Sequence, residues 1–516
     1  MRKNVFHQLS AFALLALCIC SCSSKGDYTN VIPSDVTTIT GFQLKTMAEK
    51  AGANEEENKV LLQKITNALK KELSASTLEQ LEPIIQDPAQ SGIDFGKPLY
   101  LLSSPAFETA VVAKLDSEKK FQDLLRATEE EQITEPVTET EEYSFTTIGD
   151  QTLLAFNAST LFVTNLGKGS QAEAIHTAVA AAFAQTQEQS FTANENFQKV
   201  LNAGGDFFFY TNMKAIPQEY KAIISHSLPK DADLEKIGVT GSLTFEKGQV
   251  VLNTENCITD PTLKDMLSKQ AEAARPIRNT CLKYFPQSTL ALLSVGMDGE
   301  TLFEALQTNP GIATKLSMKQ AEQLKQILCN FQDDFTVGLI NVTMTNMPTF
   351  LAYAGAKNGD ALKALYEQKD ELRLGRKEDI IRLNDNEYVY KSQLFNLFYG
   401  VKDGLMYATN DELLYKNIGK PADPSAIETD YASAIKGEHS ALIVNMEAVC
   451  QLPVMKMLSQ YGRGKTAAYL SLCEKIAYLK IVGKGQTSTT TLQLEDKDTN
   501  ALKQIVDAGK DLAGIQ

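Results

Sequence analysis

The sequence predicts an α+β protein of two tandem homologous units, each a largely antiparallel or mixed β-sheet covered by helices. Three observations lead to this fold class. The two halves of the chain match block by block at separations of about 230 to 255 residues. Short turns join strand-like runs. Helices do not strictly alternate with the strands, which disfavours a parallel sheet.

The predicted organisation has five parts. With 516 residues and 43% hydrophobic residues, the chain is long and apolar enough for more than one core. The parts are a lipoprotein signal peptide (1–21), a lipid tether (22–27), a first α+β repeat unit (28–270), a connecting segment (271–283) and a second α+β repeat unit (284–516).

The beginning of the chain predicts a secretion signal. Arg2 and Lys3 precede an apolar run over 5–17, which is interrupted by polar residues and ends at a cysteine cluster. A membrane-spanning helix needs about 20 apolar residues, so this run is too short to span a bilayer comfortably.

Cys22 is the predicted lipidation site. The stretch Ile19-Cys20-Ser21-Cys22 resembles the bacterial lipobox, which has an aliphatic residue three positions before the cysteine and a small residue just before it. Cys18 and Cys20 follow bulky residues and fit less well. One acyl chain such as palmitate binds a membrane only marginally, and bacterial lipoproteins typically carry several.

The first repeated blocks are a strand and a helix. Apolar and β-branched residues follow Pro33 and again Pro286, which suits the start of a strand. Apolar residues at three- and four-residue spacing near 76–85 and 317–328 predict amphipathic helices, each beginning with the spacing of a capping box.

A later block pairs two buried strands, 207–212 and 440–445, that each end in asparagine. Asparagine is a preferred helix cap, because its side chain accepts free amide hydrogens of the first turn. We therefore expect Asn212 and Asn445 to have this structural role and no ligand role.

The last block predicts two hairpins. Lys-Gly-Gln occurs at 247–249 and at 484–486 within alternating, β-branched segments, so each hairpin should turn at its glycine. A helix should follow in each half, near 263–269 and 501–508.

Two further segments carry residues that could suggest a site. Residues 129–142 are rich in glutamate and predict a solvated loop, while the counterpart at 369–379 mixes both charges, which argues against a shared acidic site. The alanine-rich run 170–185 predicts a helix that carries His176 in a packed or solvated position.

No catalytic residue is assigned. Residues 462–466 resemble the end of a phosphate-binding loop but lack the earlier glycine and the preceding strand. Ser433 and Lys436 have the spacing of penicillin-recognising enzymes without the companion motifs. A triad assembled from distant residues stays open.

The sequence predicts no cofactor and no metal site built from nitrogen or sulfur ligands. The cysteines after the lipidation site have no paired spacing, so we expect small buried side chains and leave their disulfide state open. They are Cys257, Cys281, Cys329, Cys450 and Cys473. A hard cation held by carboxylates stays possible among the 64 acidic residues.

The chain carries a net charge of −14 and no tryptophan. Such a surface repels nucleic acid and anionic lipid head groups, so nucleic acid is not an expected partner. The absence of tryptophan lowers the expectation of sugar binding, although tyrosine can replace it.

The chain resembles an uncharacterised family of Bacteroidetes lipoproteins, of the domain of unknown function 4836 type. The resemblance lies in the lipobox ending at Cys22, the run Tyr28-Thr29-Asn30-Val31-Ile32-Pro33, the segment 44–52 and the doubled body, and it covers nearly the whole chain. It implies export to the cell envelope and brings no activity, ligand or catalytic residue.

These observations favour a non-enzymatic binding or assembly module of the cell envelope, anchored by lipid to the outer membrane, with its side of that membrane left open. The alternative is a periplasmic or surface hydrolase acting on peptide or glycan. A tether of six residues reaches about 20 Å, so an envelope protein is the expected partner. The ligand site is hypothesised at a seam between the two repeat units.

Overall fold

A computed structural model gives the structure of the chain. It describes residues 27–53, 75–149, 151–215, 233, 236–308, 318–343, 347–369, 377–461 and 470–513. The chain forms two compact units. The first contains the described residues within Met1–Ile216, Leu234–Cys257 and Asp498–Asp511, and the second contains those within Pro217–Asp233, Ile258–Lys497 and Leu512–Gln516.

The strands of the first unit are β1 (Thr38–Phe42), β2 (Leu99–Ser103), β3 (Ala110–Lys114), β4 (Thr138–Glu139), β5 (Ser144–Ile148), β6 (Thr152–Phe156), β7 (Thr160–Asn165), β8 (Phe207–Asn212), β9 (Ile237–Glu246) and β10 (Gln249–Ile258), whose last residue belongs to the second unit. Those of the second unit are β11 (Ala291–Gly296), β12 (Phe331–Asn341), β13 (Thr349–Ala356), β14 (Asp379–Arg382), β15 (Glu387–Lys391), β16 (Asn396–Lys402), β17 (Leu405–Thr409), β18 (Ser440–Asn445), β19 (Ile476–Lys484) and β20 (Thr487–Leu494).

The described α-helices are α1 (Leu44–Lys50), α2 (Ala75–Gln86), α3 (Glu118–Glu130), α4 (Ser170–Phe183), α5 (Glu195–Ala203), α6 (Pro261–Ala273), α7 (Gly299–Thr308), α8 (Met318–Leu328), α9 (Asp360–Glu367), α10 (Glu412–Lys416), α11 (Asp430–Ile435), α12 (Met446–Cys450), α13 (Pro453–Tyr461) and α14 (Ala501–Ala513). Short 3-10 helices lie at Tyr28–Val31, Pro88–Ser91, Gln187–Gln189, Phe191–Ala193, Met213–Ala215, Leu282–Tyr284 and Ala426–Glu428.

The two units have the same strand order. In the first unit the strands pair as β10-β9-β8-β1-β2-β3-β7-β6-β5-β4, and in the second as β20-β19-β18-β11-β12-β13-β17-β16-β15-β14. Neighbouring strands run antiparallel, with two-residue turns in the terminal hairpins. The predicted α+β class with antiparallel sheets and helices is therefore confirmed.

Hydrogen bonds outside the strands also match between the units. Each pair joins residues at equivalent positions of the common strand order. The pairs are Asn212 N to Thr37 O and Asn445 N to Leu290 O, both 2.9 Å; Gln43 N to Asp206 O (2.8 Å) and Gly296 N to His439 O (3.0 Å); and Phe191 N to Ile32 O (3.1 Å) and Ala426 N to Phe285 O (2.8 Å). Their recurrence supports the predicted common origin of the units, which stays a prediction.

The core of the first unit lies between one face of the sheet and the helices α4 and α5. Residues on β1 are alternately buried and half-buried, as expected for a strand with one face against the core. The buried side chains include Ile39, Tyr100, Leu102, Val112, Phe162 and Phe208 from strands and Ile175, Val179, Phe197 and Val200 from helices. On the other face of β3, β6 and β7, α3 packs through Phe121 and Leu125.

The core of the second unit begins before its first strand. Ile277, Cys281, Leu282 and Phe285 are at most 1% exposed and pack with the inward residues of the sheet. Asp334, also 1% exposed, accepts hydrogen bonds from this segment. Most of the predicted connecting segment 271–283 thus contributes to the fold of the second unit.

The predicted helices after the two hairpins are confirmed. The units to which they belong differ from those predicted. Helix α6, predicted within the first unit, belongs to the second. Residues 498–511, predicted within the second unit, belong to the first, where Asn500 donates to the carbonyl of Phe245 at 3.0 Å and Gly248 N donates to Thr499 O at 2.9 Å.

Several local predictions are also resolved. The hairpins turn at Gly248 and Gly485, whose φ angles are 67° and 63°. Most of 129–142 is exposed, but the segment begins in the last turn of α3 and contains the short strand β4. Within the described part of the chain, no helix has the length and apolar character needed to cross a membrane.

We expect Asp206→Ala to lower the free energy of unfolding by about 2–3 kcal/mol. Asp206 is 2% exposed, and its carboxylate accepts from Lys50 Nζ at 2.7 Å and from the amide of Phe245 at 2.7 Å. The substitution leaves both donors without this buried acceptor. Urea unfolding of the two proteins measures the difference.

The matched control is Asp385→Ala, which removes the same charge. Asp385 pairs with Arg382 at 2.7 Å, but its side chain is 95% exposed, so the loss should stay below about 0.5 kcal/mol. If both variants lost the same free energy of unfolding, the buried contacts of Asp206 would not contribute more to stability than an exposed ion pair does.

Candidate ligand groove of the second unit

A groove in the second unit lies where four strand ends meet. Antiparallel pairing places the start of β11, the end of β18, the start of β19 and the end of β20 at one edge of the sheet. Asn445 lies opposite Tyr478, and Tyr478 lies opposite Gln493. Residues far apart in the sequence thereby face one opening.

The outer wall of the groove is a loop held by backbone hydrogen bonds. Ala422 N donates to Lys283 O at 2.9 Å, and Gln287 N donates to Pro424 O at 3.1 Å. The loop then enters the 3-10 helix Ala426–Glu428, where Ser425 and Glu428 form a capping box. These bonds fix the distance between the loop and the start of β11.

The groove has a volume of about 780 Å³ and adjoins a smaller cavity of about 240 Å³. The lining of the larger groove is Pro286, Gln287, Ser288, Ala422, Asp423, Pro424, Glu428, Thr429, Asp430, Tyr431, Asn445, Glu447, Ala448, Gln451, Ala477, Tyr478, Gln493, Glu495 and Lys497. Glu447, Gln451 and Glu495 line both spaces.

Charge in the larger groove is strongly negative, because its described lining carries five carboxylates and one ammonium group. Lys497 is paired with Asp430 at 2.7 Å, and this contact raises the pKa of Lys497. Glu428 accepts from the hydroxyl of Ser425 at 2.9 Å.

The other three carboxylates belong to Asp423, Glu447 and Glu495. Among the residues that the structure describes, none forms a hydrogen bond or ion pair with their side chains. Like charges around one opening create a field that attracts cations and repels anions.

Two tyrosines provide the aromatic part of the groove. The rings of Tyr431 and Tyr478 meet edge to face, with centroids 5.5 Å apart. Burial raises the pKa of each hydroxyl, so both are neutral at physiological pH.

The hydroxyl of Tyr431 is buried without a hydrogen-bond partner among the described residues, in a side chain only 3% exposed. The nearby Thr429 partly offsets the rise in the pKa of Tyr431. The Thr429 hydroxyl, however, donates to Ala426 O at 2.7 Å and makes no hydrogen bond of good geometry with the tyrosine. A buried hydroxyl without a partner is costly.

Asn445 has the structural role predicted for it. Its Oδ1 accepts from Ala448 N at 3.0 Å and caps α12, while its Nδ2 donates to Gln287 O at 3.1 Å. Asn212 likewise accepts from Lys214 N at 3.1 Å in the first unit. The capping predictions are confirmed, and the cap of Asn445 also ties β18 to the start of β11.

His176 and Ser433 are not part of the described lining of this groove. His176 lies on α4 as predicted and packs edge to face on Phe145, with ring centroids 4.9 Å apart. Ser433 donates to Asp430 O within its own helix, at 3.5 Å. Cys22 and residues 462–466 lie outside the described residues.

The five cysteines after Cys22 are free thiols, with Cys257 and Cys281 buried and Cys329, Cys450 and Cys473 partly exposed. Burial raises the pKa of Cys281 to about 11, so its thiol is protonated at physiological pH. Within the described residues, no group of three or more histidines, cysteines and acids is arranged to hold a metal ion.

Sequence reasoning did not find the groove. Its lining comes from segments near 286, 423–431, 445–451, 477 and 493–497, and no single segment has a motif. The sequence does place Asp423, Glu428 and Asp430 close together beside Pro424. Acidic residues in loops are common and do not distinguish a site from a solvated surface.

Fold and groove together define an α+β protein with an acidic, partly aromatic groove. A model of the family described as Domain of unknown function (DUF4836) matches residues 28–502. The chain belongs to this family, which confirms that part of the resemblance seen in the sequence. No curated protein matches the chain.

Solved structures show weak similarity to the chain. TP0453 in crystal form I is 11% identical, with a TM-score of 0.27 over 49% of this chain and 88% of the other. TP0453 in crystal form III is 11% identical, with a TM-score of 0.28 over 49% of this chain and 90% of the other.

Proposed function

We propose that this chain is a lipid-anchored protein of the bacterial cell envelope that binds a ligand in the groove of its second unit and catalyses no reaction. The observation that carries the binding role is the groove itself. Its volume of about 780 Å³ lies in the range of ligand pockets, about 300–1,000 Å³, and polar groups converge on it from several segments.

The chemistry of the lining favours binding over acyl transfer. Nucleophilic catalysis by serine needs a base within hydrogen-bond reach. Ser288 lines the larger groove, but the described lining contains no histidine, and its lysine is held by Asp430. The groove offers carboxylates and amides, which suit recognition of a polar, positively charged ligand.

Cys22 and the short tether support the proposed location. A lipid on Cys22 would hold Tyr28, which is buried in the first unit, within about 20 Å of the membrane. A component of the envelope is therefore the proposed source of the ligand. We also propose that the two units arose by duplication, because their strand order and hydrogen bonds match.

Cys22→Ala should abolish acylation and release the protein from the membrane fraction. Metabolic labelling with an alkyne-bearing fatty acid, followed by fractionation, measures both effects. Cys20→Ala is the matched control and should stay labelled and membrane-bound, because Leu17 and Ile19 fit the lipobox poorly before Cys18 and Cys20. Retention of label in the Cys22 variant would refute the anchor.

A photo-crosslinking residue at Gln451 should capture a ligand in intact cells. Gln451 lines both the groove and the smaller cavity, so a bound molecule lies within reach. The same residue placed at Asp385, which is 95% exposed and absent from the groove lining, serves as the control.

We expect discrete adducts from position 451 and none of the same mass from position 385. Identical adduct patterns at both positions, or none at 451, would argue against a binding role for the groove.

A further inference from the structure

We propose that the ligand of this groove is a peptide segment carrying a lysine or arginine side chain. The inference rests on the proposed binding role of the groove and specifies the chemistry of its occupant. Three features carry it: carboxylates that no described residue pairs with, the buried hydroxyl of Tyr431 and the amide side chains around them.

The carboxylates select a cation. Asp423, Glu447 and Glu495 line the groove without hydrogen-bond or ion-pair partners among the described residues. Lys497, the one lysine in the described lining of the larger groove, is already paired with Asp430. A ligand ammonium or guanidinium group would form charge-assisted hydrogen bonds with such carboxylates, which are about twice as strong as neutral ones.

The buried hydroxyl points to a polar ligand with its own hydrogen-bonding groups. Tyr431 lines the groove, is 3% exposed and has no partner for its hydroxyl among the described residues. A peptide offers a carbonyl that accepts this hydrogen and amides that donate to the hydroxyl oxygen, whereas a metal ion or a simple ammonium ion engages only the oxygen. A peptide can therefore satisfy both the donor and the acceptor of this hydroxyl, which a small cation cannot.

The remaining lining suits a peptide chain. Gln287, Gln451 and Gln493 carry side-chain amides, which both donate and accept as a peptide backbone requires. Tyr478 offers an aromatic surface on which the aliphatic stem or the charge of a lysine or arginine can lie. The prolines and alanines of the walls add apolar contact.

The test uses the mature full-length chain in detergent and a fluorescein-labelled peptide that alternates glycine and lysine. Fluorescence anisotropy compares this peptide with the same peptide acetylated on every lysine. Spermidine competes as a cation without peptide groups. The variants are Glu447→Gln combined with Glu495→Gln, and Tyr431→Phe.

The matched control combines Glu141→Gln with Glu142→Gln, which removes two negative charges from exposed positions in the first unit. We expect the groove double variant to weaken binding by about tenfold or more and Tyr431→Phe by about threefold to tenfold. The control should bind as the parent chain does.

Several results would overturn the inference. If the groove and control double variants lost the same affinity, the effect would come from the net charge of the protein and not from the groove. If the acetylated peptide bound as tightly as the lysine peptide, the groove would not require a cation. If spermidine bound as tightly as the peptide and Tyr431→Phe had no effect, the groove would recognise a cation without peptide groups, and a peptide would not be its ligand. No binding of either peptide would also reject the inference, while adducts at position 451 would still support the groove as a binding site.

Discussion

The structure of each unit depends on pairing its first strand on both sides with strands from distant parts of the sequence. β1 pairs with β2 and with β8, and β11 pairs with β12 and with β18. More than a hundred residues separate β1 from β8, so the hydrogen bonds between these two strands form only when a long stretch of chain has closed on itself. Long-range pairing of this kind makes the sheet and its helical cover one cooperative structure.

The groove is a consequence of this pairing. The start of β11 meets the end of β18 because the strands run antiparallel, and Asn445 stabilises the junction by capping α12 and bonding to Gln287. The carboxylates that this edge gathers come from the 423–430 loop, from α12 and from the end of β20. The contacts at this junction thus help to set the geometry of the groove.

Much of the fold could be predicted from local patterns. Proline before a β-branched run, asparagine at a strand end and glycine in a two-residue turn each act through neighbouring backbone groups, and Asn212, Asn445, Gly248 and Gly485 behave as predicted. The assignment of α6 to the second unit and of residues 498–511 to the first was not predicted. It depends on contacts such as Asn500 with Phe245, which no local pattern encodes. The groove was missed for the same reason, since Tyr431 and Glu495 become neighbours of one space only through the sheet register.

The most direct measurement of this account is hydrogen exchange of the intact chain, resolved by peptide. If the central strands hold each unit together, amides of β1 and β11 should exchange at the slowest rates in their units. Those of β14, which ends the described strand order, should exchange by local opening and much faster. Exchange of β11 as fast as that of β14 would contradict the account, because the junction that forms the groove would then open independently of the rest of the sheet.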